Sequence, residues 1–145
     1  METEIQLVAC AIEGEEYAID IRSVQEIIRL QEITRVPQAS SFVSGVINLR
    51  GMVIPVMDMR RRFGFPGKVP DETTRIVIIN WNGLLVGILV DSVSEVIRLP
   101  RRDIEQPPSC SSNVNSEFFT GIGKLGSRLL IMLNLDKILG INSDV

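Results

Sequence analysis

GVINLRGMVIPVMDMRRRFG, residues 45–64, is the segment that decides the fold, because a degenerate copy, GIGKLGSRLLIMLNLDKILG, occupies residues 121–140. Each segment begins with a glycine and runs through a short strand pattern and a glycine-containing turn into a longer apolar strand. Each then ends with one predicted helical turn before a second glycine. A pattern that returns in the same order indicates two versions of one structural unit.

A second pair of segments repeats as well. YAIDIRSVQEIIRL, residues 17–30, aligns with VGILVDSVSEVIRL, residues 86–99, and seven of the fourteen positions are identical. The chain is therefore an internal duplication. Residues that both copies share are expected to serve the fold, whereas residues found in one copy are better functional candidates.

The apolar patterning predicts mostly β structure. Residues 7–12 and 17–21 read as one hairpin, and residues 75–80 and 84–91 read as its repeat. The second hairpin surrounds Asn82-Gly83, a pair that favours a tight turn because both residues tolerate positive φ. The other predicted elements are strands at 23–30 and 92–99, short helices at 38–44 and 60–63, and connections at 65–74 and 100–120.

Length and composition limit the architecture. The chain has 145 residues, is 45% hydrophobic and carries a net charge of −3. One repeat of about 65 to 70 residues would be marginal alone, so the two units should share a core. We expect two small barrel-like sheets, the first mainly from about 14–70 and the second mainly from about 71–139. An exchange of the N-terminal strand between them stays open.

The residue types needed for common catalytic chemistry are missing. The chain has no histidine, which excludes phosphorelay histidines, Ser-His-Asp catalysis and most zinc sites. Residues 121–126 match G-x-G-x-x-G, but a predicted strand rather than a helix follows, so a dinucleotide site is excluded. We predict no enzyme activity, no cofactor and no metal site. An enzyme that uses Cys110 or carboxylates stays as a weak alternative.

Two further features leave alternatives open. A small β-barrel that binds nucleic acid would need a basic face with exposed aromatic side chains, and the net charge of −3 disfavours it. The run Arg60-Arg61-Arg62 is either a solvated helical face or a contact for an acidic partner.

Four motifs identify a resemblance that covers residues 7–139. They are Tyr17-Ala-Ile-Asp-Ile with Val24-Gln-Glu-Ile, residues 45–58, Val86-Gly-Ile-Leu-Val-Asp with Val93, and Thr120-Gly-Ile-Gly. In these residues the sequence closely resembles the CheW family of bacterial chemotaxis coupling proteins. The resemblance implies two intertwined five-stranded SH3-like barrels with short helices. It also implies a cytoplasmic adaptor, without direct membrane insertion, that is recruited to receptor arrays.

The resemblance implies partners and site residues too. The cytoplasmic tip of methyl-accepting chemoreceptors would bind a groove between the barrels, lined by Val24, Glu26, Ile28, Ile47, Val90, Val93 and Val96, with Arg50 at its rim. The regulatory domain of the histidine kinase CheA would bind at Ile33, Val36 and Pro37. Residues 102–110 would offer a second such contact, although this loop departs most from the family's pattern.

Comparison of the two copies ranks these candidates. Arg50 aligns with Gly126, so the fold requires a turn there but no arginine, which favours a functional role for Arg50. Glu26 aligns with Glu95, so a structural role and a receptor contact are equally open. Gly51, next to Arg50, is predicted to adopt positive φ in the turn between two strands.

Overall fold

The computed structural model describes residues 3–37, 42–106 and 116–140, which form mostly β structure. Two short helices follow strands, α1 at Met59–Arg62 and α2 at Leu135–Leu139. The strands are β1 Glu4–Ile12, β2 Glu15–Asp20, β3 Val24–Arg29, β4 Val43–Leu49, β5 Met52–Asp58, β6 Arg75–Trp81, β7 Leu84–Val90, β8 Ser92–Pro100, β9 Ile104–Glu105, β10 Phe119–Leu125 and β11 Arg128–Leu133.

The strands form two sheets whose orders correspond. One sheet has the order β8-β1-β2-β11-β10-β9, and the other has the order β3-β6-β7-β5-β4. In the repeat, β3 corresponds to β8, β6 to β1, β7 to β2, β5 to β11 and β4 to β10. The two strand orders therefore match position by position, apart from the extra strand β9. Each sheet joins the first hairpin of one copy to the second hairpin of the other copy, through the parallel pairs β2–β11 and β5–β7. The duplicated, mostly β fold predicted from the sequence is confirmed.

The chain divides into two compact units. We call the first the terminal unit, Met1–Cys10, Glu16–Ile21 and Ser94–Val145, and the second the central unit, Ala11–Glu15 and Arg22–Val93. The boundary predicted near residue 70 is therefore wrong. The β6–β7 hairpin pairs with β3 and β5, which places residues 75–90 in the central unit.

Each unit has an apolar core built from alternating strand positions, as expected when one face of each strand is buried. In the central unit the core contains Ile47, Leu49, Ile54, Val56, Ile76 and Ile78. In the terminal unit it contains Ile5, Leu7, Ala9, Ala18, Ile97, Leu99 and Leu130.

Two-residue turns connect three of the hairpins. In Glu13-Gly14, Arg50-Gly51 and Asn82-Gly83 both residues have positive φ, between 51° and 88°. This is the geometry of a type I′ turn, which matches the twist of the flanking strands. The prediction of positive φ at Gly51 is confirmed, at 88°. The side-chain oxygen of Asn48 accepts a hydrogen bond from the Gly51 amide at 2.9 Å.

The two helices occupy equivalent places and are capped alike. The side chain of Asp58 accepts from the amide of Arg60 at 3.0 Å, and that of Asn134 accepts from the amide of Lys137 at 3.3 Å. N-cap oxygens of this kind satisfy amides that the helix leaves unpaired. The helix predicted at 60–63 is confirmed with a shift of one residue.

Two predicted segments differ from the structure. The helix predicted at 38–44 is wrong at its end, because β4 begins at Val43; residues 38–41 lie outside the described residues. The segment predicted as a loop at 100–120 contains strand β9, which pairs with β10. Cys110 and the rest of residues 107–115 lie outside the described part of the chain. No described helix is long and apolar enough to cross a membrane.

Candidate partner-binding surfaces

Two candidate residues, Glu26 and Arg50, contact each other in the central unit. Glu26 lies on β3 and Arg50 lies in the turn after β4, and their side chains form a hydrogen-bonded ion pair. Strands β3 and β4 are the two edges of this sheet. The sheet must therefore curl until its edges approach. Thr34, which follows β3, forms a bridge with Val46 of β4 and closes the same gap.

The conformation of Arg50 does not suit an arginine. Its φ of 51° lies in the left-handed region, which costs a residue with a Cβ about 1–2 kcal/mol. The equivalent residue, Gly126, has a φ of 61° and avoids that cost. The Arg50 side chain is 69% exposed although it is paired with Glu26. Backbone and burial therefore give no reason for arginine at this position, which favours the functional interpretation.

The other predicted groove residues fall into two groups. Val24 and Ile28 are half-buried on β3, where a register shift separates Val24 from Glu26 and Ile28 packs against the central core, and Val93 is half-buried on β8. Val96 is 52% exposed and belongs to the terminal unit.

Ile47 and Val90 correct the predicted groove. Each is only 2% exposed, and Ile47 is part of the central core. An apolar pattern in a strand does not distinguish a core position from a groove position. These two residues are therefore removed from the set that contacts a partner directly.

The predicted kinase contact is partly accessible. Val36 is 44% exposed and Pro37 is exposed. Ile33 is half-buried and packs against the central core. Val36 and Pro37 can therefore touch a partner, whereas Ile33 anchors the segment that carries them.

Three exposed apolar side chains at one end of the central unit's sheet are absent from the set of site residues predicted from the sequence. Met52 and Val53 are 54% and 71% exposed just after the Arg50-Gly51 turn, and Leu84 is 63% exposed just after Asn82-Gly83. Because β5 and β7 are parallel, both turns lie at the same end of the sheet. The signal for Val53 was its alternation with buried Ile54, which places it on the outward face.

Arg60 is neither solvated nor available to an acidic partner, so both predicted alternatives are wrong for it. Its side chain is 13% exposed. It donates two hydrogen bonds of 2.9 Å to the Asp91 carboxylate and one of 2.9 Å to the Pro66 carbonyl, and it lies 2.5 Å from a Glu13 oxygen. The hydrogen bond with Asp91 is the main reason why the pKa of Arg60 is raised.

The same network sets the charge state of Asp91. Burial alone would raise its pKa, but hydrogen bonds from the Arg60 side chain and the Glu13 amide outweigh burial and leave the pKa below its ordinary value. Asp91 is therefore ionised at neutral pH. The neighbouring arginines also contact their own unit: Arg61 lies 3.5 Å from Asp58, and the Arg62 guanidinium lies 4.6 Å from the centre of the Phe42 ring.

The terminal unit has its own glutamate–arginine pair. Glu95, the repeat counterpart of Glu26, lies 3.0 Å from Arg128, which also bonds to Glu16 at 2.6 Å and 3.1 Å. The Arg128 hydrogen bond lowers the pKa of Glu16. Both units therefore link an equivalent strand to the second hairpin by an ion pair. Glu26 and Glu95 therefore both have an arginine partner, and Arg50 differs from Arg128 in its place within the turn, where the other copy has Gly126.

No three histidine, cysteine, aspartate or glutamate side chains within residues 3–37, 42–106 and 116–140 are arranged to hold a metal ion.

Known proteins resemble this chain along nearly its full length. The chemotaxis protein CheW of Klebsiella aerogenes is 40% identical over 126 residues, which cover 87% of this chain and 76% of that protein. The chemotaxis protein CheW of Bacillus subtilis is 34% identical, with coverage of 96% and 89%. The scaffolding protein TtCheW of Thermoanaerobacter tengcongensis superposes with a TM-score of 0.88 at 33% identity, with coverage of 95% and 94%.

The family model described as the CheW-like domain matches residues 6–142, nearly all of the 145-residue chain. Family match, sequence relatives and solved structure agree with one another and with the duplicated two-sheet fold. The chain belongs to the CheW-like domain family.

Proposed function

We propose that this protein is a non-catalytic chemotaxis adaptor that couples methyl-accepting chemoreceptors to the histidine kinase CheA. The names of its relatives, chemotaxis protein and scaffolding protein, support the pathway and the scaffold role. The observation that carries the proposal is the exposed Arg50, held in an unfavourable backbone conformation beside Glu26. It offers a charged contact point next to accessible apolar side chains.

On the receptor side, a helical hairpin tip would contact the surface around Arg50. Half-buried Val24 and Val93 supply apolar area, Ile28 anchors β3 on the central core, and the Glu26–Arg50 pair supplies orientation. Amphipathic helices bind such surfaces through a few apolar anchors. The planar guanidinium can bond to Glu26 and to a partner oxygen at the same time, because its donors point in several directions.

On the kinase side, Val36 and Pro37 would contact the regulatory domain of CheA. Both side chains are exposed on the segment that follows β3. The adaptor thus binds the receptor and the kinase through different residues of the central unit, so that the two contacts can be impaired separately by substitution.

The exposed side chains do not favour the nucleic-acid alternative. The chain has five phenylalanines, one tyrosine and one tryptophan, and all seven lie in the described residues, where none is exposed. Stacking platforms for single strands need exposed rings.

Arg50→Asn tests the receptor contact. Asparagine tolerates positive φ, and the resulting Asn-Gly turn copies Asn82-Gly83, so the free energy of unfolding should stay within about 1 kcal/mol of wild type or rise. We expect affinity for a receptor-tip fragment to fall about tenfold, which corresponds to roughly 1.4 kcal/mol. Affinity for the CheA regulatory domain should change less than twofold. Titration calorimetry against each partner measures both.

Arg61→Asn is the control, since it removes the same charge from an arginine of the same unit that is 53% exposed. It should leave receptor affinity unchanged. If Arg50→Asn lowers the affinity for both partners equally and also lowers the melting temperature by a large amount, Arg50 is a structural residue and the proposal is contradicted.

A further inference from the structure

Residues 30–37 form a strap that lies against β4 in the central unit. Thr34 and Val46 exchange two backbone hydrogen bonds, each 2.8 Å long. Ile33 packs its side chain against the central core. The exposed residues Val36 and Pro37 follow directly. One backbone bridge and one apolar side chain therefore fix the position of the predicted kinase contact.

Gly45 leaves the space in which the strap lies. A Cβ at this position would be 2.1 Å from the Thr34 carbonyl oxygen and 2.9 Å from Cγ2 of Ile33. The first obstacle is backbone, so no side-chain rotation can relieve it. Gly45 also has a φ of 149° and lies beside a β-bulge between Val43 and Gly45. Any other residue would push the strap off β4.

The terminal unit repeats this construction. Gly121, the counterpart of Gly45, also follows a bulge, and its Cβ would meet the Glu105 oxygen at 2.9 Å and Cγ2 of Ile104 at 3.0 Å. Ile104 packs against the terminal core as Ile33 packs against the central one. The bridging residues Thr34 and Glu105 are 71 positions apart, whereas the two aligned pairs of segments are 69 and 76 positions apart, which hid the correspondence from the alignment.

The two glycines share a close approach but not a backbone angle. Gly45 has positive φ, while Gly121 is absent from the positive-φ residues of the described chain. What both copies retain is therefore the absence of a side chain at this glycine, which allows the neighbouring strap to approach the strand closely.

We propose that Gly45 is a positioning residue for the kinase contact: it lets the strap lie on β4 so that Val36 and Pro37 are presented in a fixed arrangement. This inference rests on the proposed function. A segment held in its binding conformation loses less conformational freedom on association, and the affinity is higher for that reason. Displacement of the strap should weaken kinase binding without touching Glu26 or Arg50.

Gly45→Ala in the full chain tests the inference. We expect rapid hydrogen exchange at the Thr34 and Val46 amides, at least tenfold weaker binding to the CheA regulatory domain, and receptor-fragment binding within twofold of wild type. Thr34→Pro is a second variant, which removes the N–H that bonds to Val46 and leaves Gly45 in place. It should weaken kinase binding to a similar degree, and it keeps the test available if Gly45→Ala does not fold.

Gly87→Ala is the matched control. It crowds the central core, where its Cβ would lie 2.8 Å from Cγ2 of Ile76. It should lower the melting temperature and keep kinase affinity within twofold.

The outcomes separate the two proposals. If wild type fails to bind the kinase domain, the proposed function fails and the positioning role falls with it. If wild type binds and both strap variants bind equally well, the positioning role alone is overturned. An equal loss of kinase affinity in Gly87→Ala, at a matched drop in melting temperature, would reduce Gly45 to a stability effect and overturn the inference too.

Discussion

At the scale of single residues, Arg50 and Gly51 occupy one turn for different reasons. Both have positive φ, but only glycine adopts it without strain. The sequence predicted the turn and the conformation of Gly51 from the repeat, and the mismatch with Gly126 marked Arg50 as a functional candidate. It could not predict the Glu26–Arg50 pair, because the two residues meet only when the sheet curls and its edges approach.

Gly51→Val isolates the backbone effect. A Cβ at Gly51 would meet no atom within 4 Å, so its φ of 88° is the one obstacle. We expect the free energy of unfolding to fall by about 1–3 kcal/mol, the usual cost of a residue held in such a conformation. Chemical denaturation measures it. Gly67→Val serves as the control, because that glycine is equally uncrowded and lacks positive φ; equal stability of the two variants would contradict the strain account.

At the scale of structural elements, α1 shows why local charge patterns mislead. Three consecutive arginines predict a solvated or partner-binding face, yet Arg60 links α1 to the β1–β2 turn at Glu13, to Pro66 and to the end of β7 at Asp91. Glu13 and Asp91 are distant from α1 in sequence, whereas Pro66 follows it closely. A guanidinium can join several acceptors at once, which a pattern read along one helix does not reveal.

The substitution Asp91→Asn tests how much this network contributes to the free energy of unfolding and how that contribution depends on pH. Removal of the carboxylate should cost about 2–3 kcal/mol at neutral pH, less than for a fully buried pair because Glu13 still faces Arg60. The folded-state pKa of Asp91 lies below its ordinary value of 3.8, so the unfolded chain takes up the proton first as the pH falls. The carboxylate therefore stabilises the fold fully above that value and loses its contribution in acid.

Denaturation of both proteins between about pH 7 and pH 2 gives the test. The difference in free energy of unfolding between wild type and Asp91→Asn should be constant above about pH 5 and shrink below about pH 4. The other carboxylates are common to both proteins and cancel in the difference. A difference that grows in acid would contradict the assigned direction of the pKa shift.

At the scale of the whole molecule, the duplication could be predicted from the sequence, but the assignment of each strand to one of the two sheets could not. Two repeats of hairpin and strand predict two similar sheets. The parallel pairs β5–β7 and β2–β11 decide which hairpin joins which sheet, and such pairing depends on contacts between distant segments. For that reason residues 75–90 fell on the wrong side of the predicted boundary, although their hairpin was predicted correctly.

The exchange of hairpins couples the stability of the two units along the chain. Strand β1 starts in the terminal unit and passes into the central unit after Cys10, and β8 leaves the central unit after Val93. Unfolding of either unit would therefore disrupt strands β1 and β8, which also contribute residues to the other unit. We expect a single cooperative unfolding transition.

Leu130→Ala tests this coupling at a distance. Leu130 is fully buried in the terminal core, so the truncation should cost about 2–5 kcal/mol. Trp81 is the only tryptophan and lies on β6 of the central unit, so its fluorescence reports the other unit. With coupled units, the midpoints from Trp81 fluorescence and far-UV circular dichroism should move together to lower denaturant concentration. Leu129→Ala, at a neighbouring side chain that is 57% exposed, should move neither midpoint appreciably. An unchanged fluorescence midpoint together with a shifted dichroism midpoint would mean that the central unit unfolds independently. The exchanged hairpins would then connect the two units along the chain without making their unfolding cooperative.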